Sequence, residues 1–312
     1  MAGGSRGSRG LRESAGWRGG RGPAAGPRVG GHRVAGPDGR IGSTTQGETR
    51  PKPPRHDRRA IGEPEAPIYR LVLWNIDLTL VDVARVSRQA YAEAFQKVTG
   101  RPLVALPQTA GRTESEIFFE ALAVNDVSSG GVPDPADPGS QELLGRYTRE
   151  LAIAFGSRLD LLPMQGRELP GAKDAVAAVA GLPGVIQSVL TGTIRPNATA
   201  KLQAFGMDAF FDFEIGGYGS EIYPKGAQLL SSRGRAADKY RGDIVATVYI
   251  ADSIRDVEAA RIGGARCVAV ASGRSIAAEL RDAGADVVLN DLSDTASVVS
   301  AVDRLTNAVS AG

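Results

Sequence analysis

The chain has only two histidines in 312 residues, His32 and His56, and neither lies beyond residue 67. Everything after that point lacks an imidazole, which excludes Ser-His and Cys-His catalysis and His-ligated zinc there. Acids, bases and nucleophiles are left to carboxylates, hydroxyls and lysines. A single cysteine, Cys267, excludes an internal disulfide and fits a reducing compartment. It sits inside an apolar stretch and reads as inert core. Aromatics make up 5% of the chain against 42% apolar residues, so the interior should be built from Ala, Val, Leu and Ile, as in helix-covered parallel sheets. No apolar run reaches the ~18 residues of a membrane span, and no signal-peptide pattern follows the N-terminus. A cytoplasmic protein with no membrane partner is expected.

The net charge of +2 hides an asymmetry. Residues 1–67 hold 13 Lys and Arg against 6 Asp and Glu, a net +7, so the remainder is mildly acidic at −5. Residues 1–66 are rich in Gly, Arg, Pro and Ser, lack hydrophobic periodicity, and read as a disordered basic tail. Arg-Gly segments can bind RNA, and this tail is the one place where nucleic acid would attach. A transit peptide is a poorer fit, because the amphipathic face is missing. A dispensable extension is the simplest reading.

From Ile68 the texture changes to alternating strand and helix patterns. "IYRLVLWNI" reads as a buried strand, and "ARVSRQAYAEAFQKVTG" as an amphipathic helix stopped by Gly100. Helical patterns continue through "TESEIFFEALAV" and "SQELLGRYTRELAIAF", across a Gly/Pro-rich linker from Ser128 to Gly139. After Pro170 the rhythm becomes β/α. A helix near Ala172–Ala180 precedes the strand "GVIQSVLT", then come a helix around Ala198–Phe205, a short strand "FEIG" and a helix after Pro224. The strand "VATVYIA", the helix "SIRDVEAARIGG", the strand "RCVAVA", a helix from Ser275, the strand "DVVL" and a last helix from about Asp294 complete the order. The expected fold is a Rossmann-like α/β parallel sheet with helices on both faces, formed by residues 67–82 and 170–312, with 83–169 inserted as a helical cap.

In an open parallel sheet, ligands bind beyond the carboxyl ends of the strands. The polar residues at those ends are Asn75, Asp77 and Thr79 after the first strand, Thr191, Gly192 and Thr193 after "QSVL", and Asp252, Ser253 and Asp256 after "TVYI". Lys225 precedes the last of these strands. In order and approximate spacing these four motifs resemble the haloacid dehalogenase superfamily, in particular its phosphatase-like members with an inserted helical cap.

The resemblance implies roles for individual residues. In that family the first strand ends in Asp-x-Asp-x-Thr, where the first Asp attacks phosphorus and the second serves as acid and base. Here Asp77 matches the second, Thr79 the hydroxyl, and Asn75 stands at the nucleophile. Thr191 and the Gly192 N–H would hold phosphate oxygens, and Lys225 would neutralise phosphate charge. Asn75, Asp77, Asp252 and Asp256 would surround Mg²⁺, with Ala251 in place of the family's usual Gly. Arg112 matches cap positions that touch substrate. The implied activity is Mg²⁺-dependent hydrolysis of a small phosphorylated metabolite. Asn75 opposes it, since an amide has a delocalised lone pair and no charge. A catalytically silent protein that binds a phosphorylated ligand or a protein partner is the alternative. Asp256 has a second reading as well, because Ser-x-x-Asp is a helix-capping pattern.

Overall fold

The computed structural model describes residues 67–128, 131–220 and 224–307. The tail 1–66, expected to be disordered, lies outside the described residues.

β1 (Ile68–Trp74) is followed by the two-residue β2 (Val81–Asp82) and by helices α1 (Ala84–Thr99), α2 (Glu114–Val124), α3 (Pro138–Gly156) and the one-turn α4 (Leu162–Gln165). β3 (Arg167–Glu168) then pairs antiparallel with β2, setting Val81 opposite Glu168 and Asp82 opposite Arg167. The helical stretch therefore leaves and rejoins the rest of the chain through one short ladder. The core continues with α5 (Ala172–Ala180), β4 (Val185–Val189), α6 (Arg195–Ala204), α7 (Lys225–Tyr240), β5 (Asp243–Ala251), α8 (Ile254–Ile262), β6 (Arg266–Val270), α9 (Ala277–Asp282), β7 (Val287–Leu289) and α10 (Thr295–Asn307).

The main sheet is parallel throughout, in the order β4-β1-β5-β6-β7. β1 is flanked on both sides, which explains why its sequence is an apolar run rather than an alternation. Val72 and Trp74 face one buried cluster, with residues of α5 and α10, whereas Leu71 and Leu73 face the other, with residues of α7 and α8. Trp74 is fully buried because its indole Nε1 donates to Gln187 Oε1 at 2.8 Å, leaving no polar atom stranded. Cys267 is buried in the second cluster.

Three local expectations change. The stretch Phe213–Gly216 is not a strand: the Glu214 N–H donates to Asp212 Oδ1, a turn forms, and only a bridge between Leu190 and Gly217 remains. α6 begins at Arg195 rather than Ala198, with Pro196 in its first turn, where a missing N–H costs nothing. β2 and β3 were not foreseen, because two residues carry no period.

Candidate phosphate-ester site

The ends of β1, β4 and β5 open onto one cavity of about 400 Å³. Of the residues singled out from the sequence, Asn75, Asp77, Arg112, Thr191, Gly192, Thr193, Lys225 and Asp252 line it, and Thr79, Ser253 and Asp256 do not. The β1 end is shaped by Leu78, whose φ of 61° lies in the left-handed region, a cost on the order of 1–2 kcal/mol for a residue with a branched side chain. The Leu78 N–H donates to the Val81 carbonyl at 2.8 Å, and Ser272 Oγ donates to the Leu78 carbonyl at 2.7 Å. Those bonds hold the turn that presents Asn75 and Asp77.

Asn75 is buried and turns its amide nitrogen inward. Nδ2 donates to Asp252 Oδ1 at 2.8 Å and to the Asp77 carbonyl at 2.9 Å, and lies 3.3 Å from Thr79 Oγ1. Thr79 Oγ1 also donates to Asp252 Oδ1, at 2.9 Å. Burial raises the pKa of Asp252, the Asp256 charge adds to the rise, and the hydrogen bonds from Thr79 and Asn75 oppose it.

Asp77 is held by a residue that the strand-end motifs did not reveal. Lys201, on α6, has its Nζ 2.8 Å from Oδ1 and 2.7 Å from Oδ2 of Asp77, and 3.0 Å from Thr193 Oγ1, which itself donates to Asp77 Oδ2 at 2.9 Å. The lysine is 2% exposed, whereas the Asp77 side chain is 38% exposed and open to the cavity. Lys201 shares a helical face with the buried Ala198 and Leu202. Its neighbours on that face are too few and too small to mark it in the sequence.

Lys225 makes a different pair. Its Nζ lies 2.6 Å from Asp256 Oδ1, which also accepts from Tyr249 Oη at 2.8 Å. Ser253 Oγ bonds the second Asp256 oxygen, and the Asp256 N–H in turn donates to Ser253 Oγ as the cap of α8. Asp256 is completely buried under these three partners. The resemblance assigns Asp256 to the metal; the structure places its side chain in the cap of α8 and in the pair with Lys225, outside the cavity lining.

A second residue missed from the sequence comes from the helical insert. Glu114, the first residue of α2, lines the cavity and is 2% exposed. Its backbone N–H donates to the Gly192 carbonyl at 2.8 Å, and its Oε1 accepts from Tyr91 Oη at 2.9 Å. Oε2 meets no partner among the described residues. Burial pushes the pKa of Glu114 up to about 7 against the pull of Lys201 and the Tyr91 bond, with the Asp77 charge adding to the rise. The contact with the Thr191–Thr193 loop is close. A Cβ on Gly192 would overlap the Arg112 carbonyl, and one on Gly219 would overlap the Gly192 carbonyl. Arg112 pairs with Glu120 and leaves its Nε without a partner.

A family model for haloacid dehalogenase-like hydrolases matches residues 69–264. The chain belongs to the haloacid dehalogenase-like hydrolase family. Solved structures agree on the fold. A predicted phosphoglycolate phosphatase from Haemophilus somnus is 18% identical, with 74% of this chain and 97% of that one covered and a TM-score of 0.51. A hydrolase from Pseudomonas syringae is 20% identical, with 76% and 99% covered and the same TM-score. No curated protein matches the chain.

Phosphatases of the haloacid dehalogenase family generally use Mg²⁺. In this member two of the residues that the resemblance assigns to that ion are engaged by lysines. Asp256 is tied to Lys225, and Asp77 carries its carboxylate against Lys201. The one remaining carboxylate, Asp252, has Oδ1 occupied by two hydrogen-bond donors. The Asn75 amide nitrogen sits among the Asp252, Asp77 and Thr79 oxygens, supplying N–H groups where a cation would be needed to bring such oxygens together. Among the described residues, no group of three or more His, Cys, Asp or Glu side chains is arranged to hold a metal. No helix among them is long and apolar enough to cross a membrane.

Proposed function

We propose that this member of the hydrolase family is a receptor for a small phosphate monoester, in which hydrolysis through an aspartyl-phosphate is lost. The reading is carried by one observation: Asn75 Nδ2 donates to Asp252 Oδ1 at 2.8 Å. An amide in that place cannot form a stable ester with phosphorus. Loss of an attacking nucleophile removes about a millionfold in rate, or about 8 kcal/mol of barrier lowering, by analogy with proteases. Binding suffers less. An uncharged amide removes one repulsion against the incoming dianion, and its Nδ2 donates a hydrogen bond to Asp252 Oδ1. The Thr191 hydroxyl, the Gly192 backbone and the Lys225 ammonium border the same space and offer donors to phosphate oxygens.

A second reading rests on Asp77. This carboxylate faces the cavity and is oriented by Lys201 and Thr193, a geometry suited to drawing a proton from water that attacks phosphorus directly.

Release of phosphate from an aryl phosphate, in the parent and in Asn75→Asp with and without Mg²⁺, separates the two. The expected result is no turnover in the parent, activity in the variant only with Mg²⁺, and Mg²⁺-independent binding of inorganic phosphate to the parent by calorimetry. Equal turnover in both proteins, abolished by Asp77→Asn, would establish the water route instead.

A further inference from the structure

The cavity has two ends of different chemistry. Near β1 and the Thr191–Gly192 loop stand the groups assigned to phosphate. On the helical insert stands Glu114, a buried carboxylate with one oxygen satisfied by Tyr91 and the other unsatisfied. A buried acceptor left without a donor is costly, and folded proteins seldom retain one without a use. The local charge is unbalanced as well. Lys201 gives both of its short carboxylate contacts to Asp77, so two acidic side chains share one ammonium.

Resting on the phosphate-ester reading, we propose that the ligand is an aminoalkyl phosphate, with its ammonium group hydrogen-bonded to Glu114 Oε2. A cationic donor at that oxygen supplies the missing hydrogen bond and the missing positive charge together. A neutral hydroxyl supplies only the first. The placement also follows from the backbone: the Glu114 N–H is bonded to the Gly192 carbonyl at 2.8 Å, so the carboxylate is tied directly to the loop bordering the phosphate end. The apolar side chains of Val81, Leu106 and Ile117 on the cavity wall suit the methylenes of the ligand.

The test uses the full chain and four probes in calorimetry near pH 7: inorganic phosphate, ethyl phosphate, 2-hydroxyethyl phosphate and 2-aminoethyl phosphate. The aminoethyl ester should bind at least tenfold tighter than the other two esters, as a charge-assisted hydrogen bond to a buried partner provides. In Glu114→Gln the three ester affinities should converge. Equal binding of the three esters to the parent would overturn the proposal while leaving the phosphate seat intact, and so would a preference for the amine that survives Glu114→Gln. Failure of all four probes, inorganic phosphate included, would remove the phosphate seat and this inference with it. The ester comparison in the parent stands independently of whether the variant folds.

Discussion

Lys201 and Asp77 form a two-pronged contact in which one ammonium nitrogen lies within 2.8 Å of both carboxylate oxygens, with the lysine enclosed and the aspartate facing the cavity. The pair fixes the direction of a carboxylate that lines the cavity. It also places a positive charge beneath the floor of the cavity, from a helix that contributes none of the motifs by which the family is recognised.

Lys201→Met should therefore destabilise the protein. Breaking a fully buried ion pair costs about 3–5 kcal/mol, but water reaches Asp77 from the cavity side, so a loss of about 1–3 kcal/mol is expected. Urea unfolding measures it. A neutral or stabilising substitution would mean that the pair only accommodates a lysine that packs as well without its charge.

Glu114 makes stability depend on pH in an unusual direction. Its folded pKa, about 7, exceeds the ordinary 4.5, so between those values the folded state holds a proton that the unfolded state has released. Stability is then fully present below about 4.5 and declines as pH rises through 7, by about 3 kcal/mol from this group. Glu114→Gln should lose that decline and so gain on the parent between about pH 5 and about pH 8. Parallel stability curves for the two proteins would refute the assignment.

Gly192→Ala tests how the insert meets the core. The new methyl would overlap the Arg112 carbonyl, backbone that cannot rotate away, next to the bond from Glu114 N to Gly192 O. A loss of about 1–3 kcal/mol is expected from overpacking, together with weaker phosphate binding. Gly156→Ala is the control, because nothing lies within 4 Å of the added carbon and the residue ends helix α3. It should be neutral or slightly stabilising. Equal effects at the two sites would show that the close approach at Gly192 is not a constraint.

Asn75, Asp77, Thr191 and Asp252 were legible in the sequence because each follows an apolar run, and polar groups at the carboxyl edge of a parallel sheet share one opening. Asp256 was ambiguous for a physical reason. An acidic residue three positions after a serine serves a helix cap as readily as a metal, and the structure shows the cap together with contacts to Lys225, Tyr249 and Ser253. Lys201 was hidden by its surroundings, since "NATAKLQAF" offers few large apolar residues to mark an inward face. Glu114 was hidden by convention, because an acidic residue in the first turn of a helix is expected from the helix dipole alone. Its lack of a partner emerges only when α1 supplies Tyr91 and the Gly192 loop closes beneath it.

The short ladder of Val81 and Asp82 with Glu168 and Arg167 brings the two ends of the helical insert side by side. A segment anchored at neighbouring points behaves as a pendant loop: its length and contents can change while both flanking stretches keep their positions. The part of the protein that would choose among alcohols is thus inheritable separately from the part that would grip phosphorus, and a swap of residues 83–166 between relatives is a route by which new ligand preferences could arise without rebuilding the sheet.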